Sequence, residues 1–181
     1  VAVASAGRAQ RRTVLFGYAG LDVPRIRKAV AALSQHVQNG GVLVAVQPLA
    51  NSMRNLFGFT EAIPSRQQKS LSFQKGALSW ALDDAREAAL TINGSAPEAV
   101  LGTYSFLFPT GKVVAAYEDG KAAIIRKDYG GGAAYAVGLD LGHWLLTGYN
   151  SRAESSARSY VNEYEPSLDV LLQWLKEVYR S

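Results

Sequence analysis

The chain of 181 residues has no cysteine. That excludes disulfides, Cys-ligated zinc, iron–sulfur clusters and a cysteine nucleophile. It leaves the compartment open, because export does not require disulfides. Histidine is almost absent too, with two residues, so a His-rich metal site is excluded. No apolar run approaches the ~18 residues that span a bilayer. Charge of one sign is not concentrated. Lys and Arg number 19 against 15 Asp and Glu, a net +4, and the basic residues are scattered. The densest basic spot, Arg8, Arg11 and Arg12, reads as a solvated arm. Without a stripe of basic residues interleaved with aromatics, nucleic acid is not an expected partner. There is no Gly-x-Ser-x-Gly elbow, internal repeat or low-complexity tract.

What is present suits one domain. A chain of this length buries roughly 70% of its unfolded surface and needs no covalent staple. The first residues, Val1-Ala2-Val3-Ala4-Ser5-Ala6, resemble the tail of a secretory signal peptide, though no apolar h-region is visible to support it. The expected organisation is a flexible arm over 1–12 and one α/β domain over 13–181, part of a larger protein.

Thr13–Gly17 reads as a buried strand. Asp22 and Pro24 suit a helix start, and Ile26, Val30, Leu33 and Val37 share one helical face. Asn39-Gly40-Gly41 ends that helix, and Val42–Val46 follows, apolar without alternation as a parallel strand covered on both faces should be. Pro48–Pro64 reads as irregular, with a short helix at Ser52–Phe57. Leu71–Phe73 suits a strand, and Ala88–Ile92 suits a strand after a turn at Asp83-Asp84 more than a helix. Asn93-Gly94-Ser95 is a turn. Val100–Phe106 is a strand. Val113–Tyr117 and Lys121–Arg126 flank Glu118-Asp119-Gly120, a hairpin signal. Ala133–Val137 is a further buried strand leading to a helix near Leu141–Leu146. Pro166 opens an amphipathic helix whose Leu168, Leu171, Leu172, Leu175, Val178 and Tyr179 share a face. The expected fold class is α/β: a partly parallel Rossmann-like sheet of flavodoxin or amidotransferase type, with flanking helices and an antiparallel hairpin insertion.

Three stretches carry a resemblance. "LSQHVQNGGVLVAV", continued by "NLFGFTE", resembles the helix–Gly-Gly–strand unit of class I glutamine amidotransferase-like domains. "VVAAYEDGKAAIIRKDYGGGAAYAVGLDLGHWLLTGYN" resembles their hairpin, glycine loop and final strand. Such degenerate domains recur within carbohydrate-active proteins, including β-galactosidase trimerisation domains. "RSYVNEYEPSLDVLLQWLKEVYR" is similar to the segment leading into the catalytic domain of bacterial polysaccharide deacetylase-type proteins. The resemblance implies a bacterial, exported, non-catalytic accessory domain that positions a catalytic neighbour or binds polysaccharide. Active amidotransferases carry a Cys on a tight elbow after the second strand. Here that stretch reads Val46-Gln47-Pro48, and Gln is no nucleophile.

Other chemistry is sparse. Asp140 and His143, three apart, form a base–orienter pair on one reading and an N-cap beside a half-buried His on the other. They carry the alternative of a stand-alone hydrolase. His36 reads as a boundary residue of the first helix. Asp83-Asp84 and Glu118-Asp119 read as turn residues rather than a glycosidase carboxylate pair. Gly130-Gly131-Gly132 precedes a strand instead of opening a helix, so it reads as a turn and not a phosphate cradle. Tyr149, Asn150, Arg152 and Tyr160 form a polar, aromatic segment suited to sugar binding. Arg54, Phe59 and Glu61, after the second strand, are expected to line the same cleft, at the carboxyl ends of the strands. Trp80 and Trp144 read as packing residues, and Trp174 as packing or facing a partner. No cofactor, metal or catalytic residue is expected. The expected partners are a polysaccharide and a neighbouring catalytic domain, in an extracytoplasmic setting. A second alternative is an oligomerisation module.

Overall fold

The computed structural model describes residues 13–16, 24–77, 89–92, 101–144 and 166–180. In chain order these form β1 (Thr13–Phe16), α1 (Pro24–Gln38), β2 (Val42–Val46), α2 (Asn51–Phe57), β3 (Glu61–Ser65), β4 (Ser70–Phe73) and β5 (Ala89–Thr91). Then come β6 (Thr103–Leu107), β7 (Lys112–Tyr117), β8 (Ala122–Tyr129), β9 (Gly132–Val137) and α3 (Pro166–Arg180). The arm over 1–12, the Asp83-Asp84 turn, Trp80 and the Asn93-Gly94-Ser95 turn lie outside the described residues.

α1 stops where glycine first permits it. Gly40 takes φ +92°, and the Gly41 N–H bonds the His36 carbonyl, satisfying one of the helix's last acceptors. The chain then runs straight into β2, which lies parallel to β1, with Val14 opposite Leu43. β2 also lies parallel to β9, with Val44 opposite Tyr135. Every other pairing among the described strands is antiparallel.

The sheet has nine strands in the order β1-β2-β9-β8-β7-β4-β5, and the β3–β6 ribbon branches from β8. This corrects the Rossmann-like expectation. A doubly wound sheet repeats the β-α-β crossover; among the described residues only β1-α1-β2 makes one between adjacent strands. The antiparallel part is not a hairpin inserted into a parallel sheet but most of the sheet itself. It is a mixed sheet, strongly curled into a half-barrel. Register shifts in β7 between Val113 and Ala116, of the kind a β-bulge makes, add local twist there.

Alternation along β2 divides the core. Leu43 and Ala45 point to one face, where they meet Val37 of α1 and Met53, Leu56 and Phe57 of α2. Val42 and Val44 point to the other, with Tyr135, Val137 and α3's Val170, Leu171, Trp174 and Val178. The uninterrupted apolar run of β2 follows from burial on both faces.

Two local readings also change. Glu61–Ser65, read as irregular, is strand β3, paired to β6 with Ile63 opposite Ser105. Pro64 is tolerated because β3 is an outer strand of its ribbon. The core face of α3 is Val170, Leu171, Trp174 and Val178, whereas Leu172 and Tyr179 are 45% and 77% exposed. Trp174 is sealed at 1% exposure. Its ring centroid lies 6.0 Å from Phe73 and 6.0 Å from Tyr135.

Candidate functional site

The described residues form a polar cleft of about 330 Å³ between the β3–β6 ribbon and the β7–β8 turn. Its first wall follows from strand alternation. Ala62 and Phe106 are directly paired and face the α1/α2 core. Their neighbours Ile63, Ser65 and Ser105 therefore emerge on the opposite face, where they line the cleft. Ile63, 43% exposed, gives this wall an apolar patch beside Pro64. Ser105 forms a recessed floor at 2% exposure, and its hydroxyl has no hydrogen-bond partner among the described residues.

The second wall is the Glu118-Asp119-Gly120 turn. Gly120 adopts φ +80°, and its N–H bonds the Tyr117 carbonyl at 2.9 Å. The two carboxylates do more than close the turn. Glu118 accepts from the backbone N–H of Lys69 at 2.6 Å and of Ser70 at 3.0 Å, through different oxygens. Asp119 accepts from the buried Gln68 amide at 2.9 Å, from the Lys121 N–H at 3.0 Å and from the Lys121 ammonium at 2.5 Å. The link from β3 to β4 is thus fastened to the turn, and the cleft has fixed walls.

Partial burial pushes the Glu118 carboxyl up. The backbone donors of Lys69, Ser70 and Glu118 itself outweigh it, and the net value falls below the ordinary one. Asp119 likewise ends low, because the Lys121 and Gln68 bonds outweigh partial burial. Both groups are ionised at neutral pH. Beneath them, burial pushes the Tyr117 hydroxyl up, so it stays protonated and donates to the Tyr104 carbonyl at 3.2 Å.

These shifts set the sign of a pH dependence. A depressed folded pKa contributes stability that is present above the unfolded carboxyl value and is lost as pH falls through the folded one. The wild type should therefore lose stability on acidification below the ordinary carboxyl range. Glu118→Gln, which cannot titrate there, should lose less over the same interval. Equal acid dependence in denaturant titrations of both would refute the clamp.

The described members of the expected site lie apart from one another. Arg54 donates to the Thr60 carbonyl at 3.0 Å and so ties α2 to the start of β3. Phe59 is 3% exposed and packs on Phe106 with centroids 4.6 Å apart. Glu61 is exposed on β3. Asp140 accepts the backbone N–H of His143 at 3.0 Å, the geometry of an N-cap on the helical turn over 141–144. The C-terminal end of α2 meets Lys127 and Tyr129, beside the start of β9, while Asp140 lies past its other end. Tyr149, Asn150, Arg152 and Tyr160 lie outside the described residues.

Gln47, at the end of β2, takes φ +49° and is 7% exposed. Its amide nitrogen reaches the Gly102 and Gly138 carbonyls, each at 3.4 Å, and braces three strand ends. Among the described residues no group of three His, Asp or Glu is placed to hold a metal ion. No described helix is long and apolar enough to cross a membrane.

No family model matches the chain. No curated protein matches it either. Solved structures do. A β-galactosidase from Bacillus circulans sp. alkalophilus superposes with TM-score 0.53 at 14% identity, over 81% of this chain and 23% of that one. An exo-β-1,4-mannosidase from Opitutaceae bacterium strain TAV5 gives 0.48 at 18% identity, over 72% of this chain and 21% of that one. A β-galactosidase from Rahnella sp. R3 gives 0.46 at 16% identity, over 78% and 22%. The chain therefore spans between a fifth and a quarter of the length of each.

The fold is that of a segment within the Bacillus β-galactosidase. That neighbour is a β-galactosidase, which overturns the resemblance to glutamine amidotransferase-like and polysaccharide deacetylase-type domains and the amidotransferase-like accessory role drawn from it. The matched stretches were generic. A helix, a Gly-Gly stop and a short apolar strand satisfy the same steric demands in any β-α-β unit.

Proposed function

We propose that this chain carries a saccharide-binding cleft on a glycoside-hydrolase-like fold. The cleft beside β3 carries the reading. Its volume is that of a small-ligand site, and it sets the Ile63–Pro64 apolar patch against Ser105, Glu118 and Asp119. A pyranose presents the complementary surface, a C–H face and a rim of hydroxyls. The fold shared with a segment of the Bacillus β-galactosidase supports the carbohydrate setting.

The cleft suits binding better than cleavage. Two-carboxylate glycoside hydrolysis needs one group kept protonated near neutral pH. Glu118 and Asp119 are both shifted the other way.

The test is an NMR titration of the chain with galacto- and manno-oligosaccharides at concentrations up to about 10 mM, above the ~1 mM dissociation constants of weak sites. Shifts confined to Ile63, Ser65, Gln67, Ser105 and Lys121, and lost in Ile63→Asp, are expected. Saturable binding mapped elsewhere, or no binding at all, would overturn the assignment.

A further inference from the structure

We infer that the cleft is selective by charge, taking a saccharide unit rich in hydrogen-bond donors, neutral or amino-bearing, and rejecting uronate-type or sulfated units. This rests on the saccharide-binding reading above and adds the ligand class and the residues that set it.

Acceptor capacity is the first argument. An ionised carboxylate offers about four lone-pair sites. Glu118 spends three, on Lys69, Ser70 and its own backbone N–H, and Asp119 spends three, on Gln68 and twice on Lys121. Unspent acceptor sites on both stay at the cleft wall and can be met only by a donor. The lining's one cation is already engaged: the Lys121 ammonium points at Asp119, as does the Gln68 amide.

Net charge is the second. Two carboxylates against one ammonium leave the lining negative, although the whole chain carries +4. Arg66 and Lys69 lie on the adjoining link but are not lining residues.

Ser105 is the third and independent observation. A hydroxyl on a side chain 98% removed from solvent, facing a cleft and without a partner among the described residues, is a vacant hydrogen-bonding position. A sugar hydroxyl, both donor and acceptor, satisfies Ser105 while its neighbours donate to Glu118 and Asp119.

The test compares three oligosaccharides of equal length, built from glucosamine, N-acetylglucosamine or glucuronate units, by calorimetry and NMR at neutral pH. The neutral ligand should bind about fivefold to tenfold tighter than the anionic one, and the cationic ligand tighter still at low salt. Ser105→Ala should weaken the neutral and cationic ligands by similar factors and leave their order intact. Glu118→Gln should shrink the spread between cationic and anionic ligands. If circular dichroism shows that Glu118→Gln has lost structure, added salt serves instead: the cationic-to-anionic ratio of the wild type must fall as salt rises. Binding of all three with equal affinity would overturn the charge selectivity and leave the saccharide-binding reading standing. Binding of none would overturn both.

Discussion

Gly132→Ala is expected to abolish cooperative folding or to cost more than about 3 kcal/mol of stability, the severe end of overpacking. An alanine Cβ at this position would stand 2.1 Å from the Val37 carbonyl oxygen and 2.3 Å from that of Gly41. Both obstacles are backbone atoms, so no rotamer change relieves them. Val37 belongs to the last turn of α1 and Gly41 immediately precedes β2, while Gly132 opens β9. The Ala133 N–H bonds the Gly41 carbonyl at 3.2 Å, which holds the strand against the helix end. A methyl group there must push β9 away from α1 and break the parallel β2–β9 register that joins the crossover unit to the antiparallel remainder. Gly131→Ala is the matched control. Its Cβ would meet only Gly40 Cα, at an ordinary 3.6 Å. Chemical denaturation of both variants decides the matter: a Gly132→Ala midpoint as high as that of Gly131→Ala would disprove the close approach.

The same glycines show how much of the fold was legible in the sequence. The run Gly130–Gly132 reads as a tight turn, and it is the β8–β9 turn, with φ +59° at Gly130 and Tyr129 paired to Gly132. The need for glycine at the third position was not legible. It comes from the backbone of Val37 and Gly41, 95 and 91 residues earlier in the chain, whose approach no local pattern encodes. Local signals did mark local elements. The contiguous apolar Val42–Val46 marked β2, and Asp119-Gly120 marked the β7–β8 turn. Pro64 hid β3, because a proline inside a polar stretch argues for loop unless the strand's outer edge is known to be free.

Strand order was not legible for a related reason. Apolar strands such as Leu71–Phe73 and Val113–Tyr117 are interchangeable as partners until long-range packing selects one register, here Leu71 opposite Tyr117. The cleft was hidden more deeply. Ser105 sits in Thr103–Leu107, which reads simply as a buried strand, and the Gln68–Asp119 bond spans 51 positions. Glu118 and Asp119 were recognisable as turn residues, but nothing local shows that their carboxylates reach the link between β3 and β4.

Trp174→Ala is expected to cost about 3–5 kcal/mol, the usual range for removing a fully buried large aromatic side chain. The indole is 1% exposed and lies between Phe73 of β4 and Tyr135 of β9. Those strands sit at separated positions in the sheet, with β8 and β7 between them. One side chain on α3 therefore bridges separated strands on one face of the sheet. Truncation would leave a cavity between α3 and the sheet, so both the transfer cost and the cavity cost apply. Leu172→Ala, on the same helix but 45% exposed, should stay within about 0.5 kcal/mol of wild type. The contrast separates packing from helix propensity, because both substitutions introduce the same strong helix former. Comparable destabilisation by the two variants in urea unfolding would mean that α3 does not pack on the sheet through Trp174. A large loss for Trp174→Ala alone would establish the helix as the cover of that face, and it would place Leu172 and Tyr179 on the solvent side.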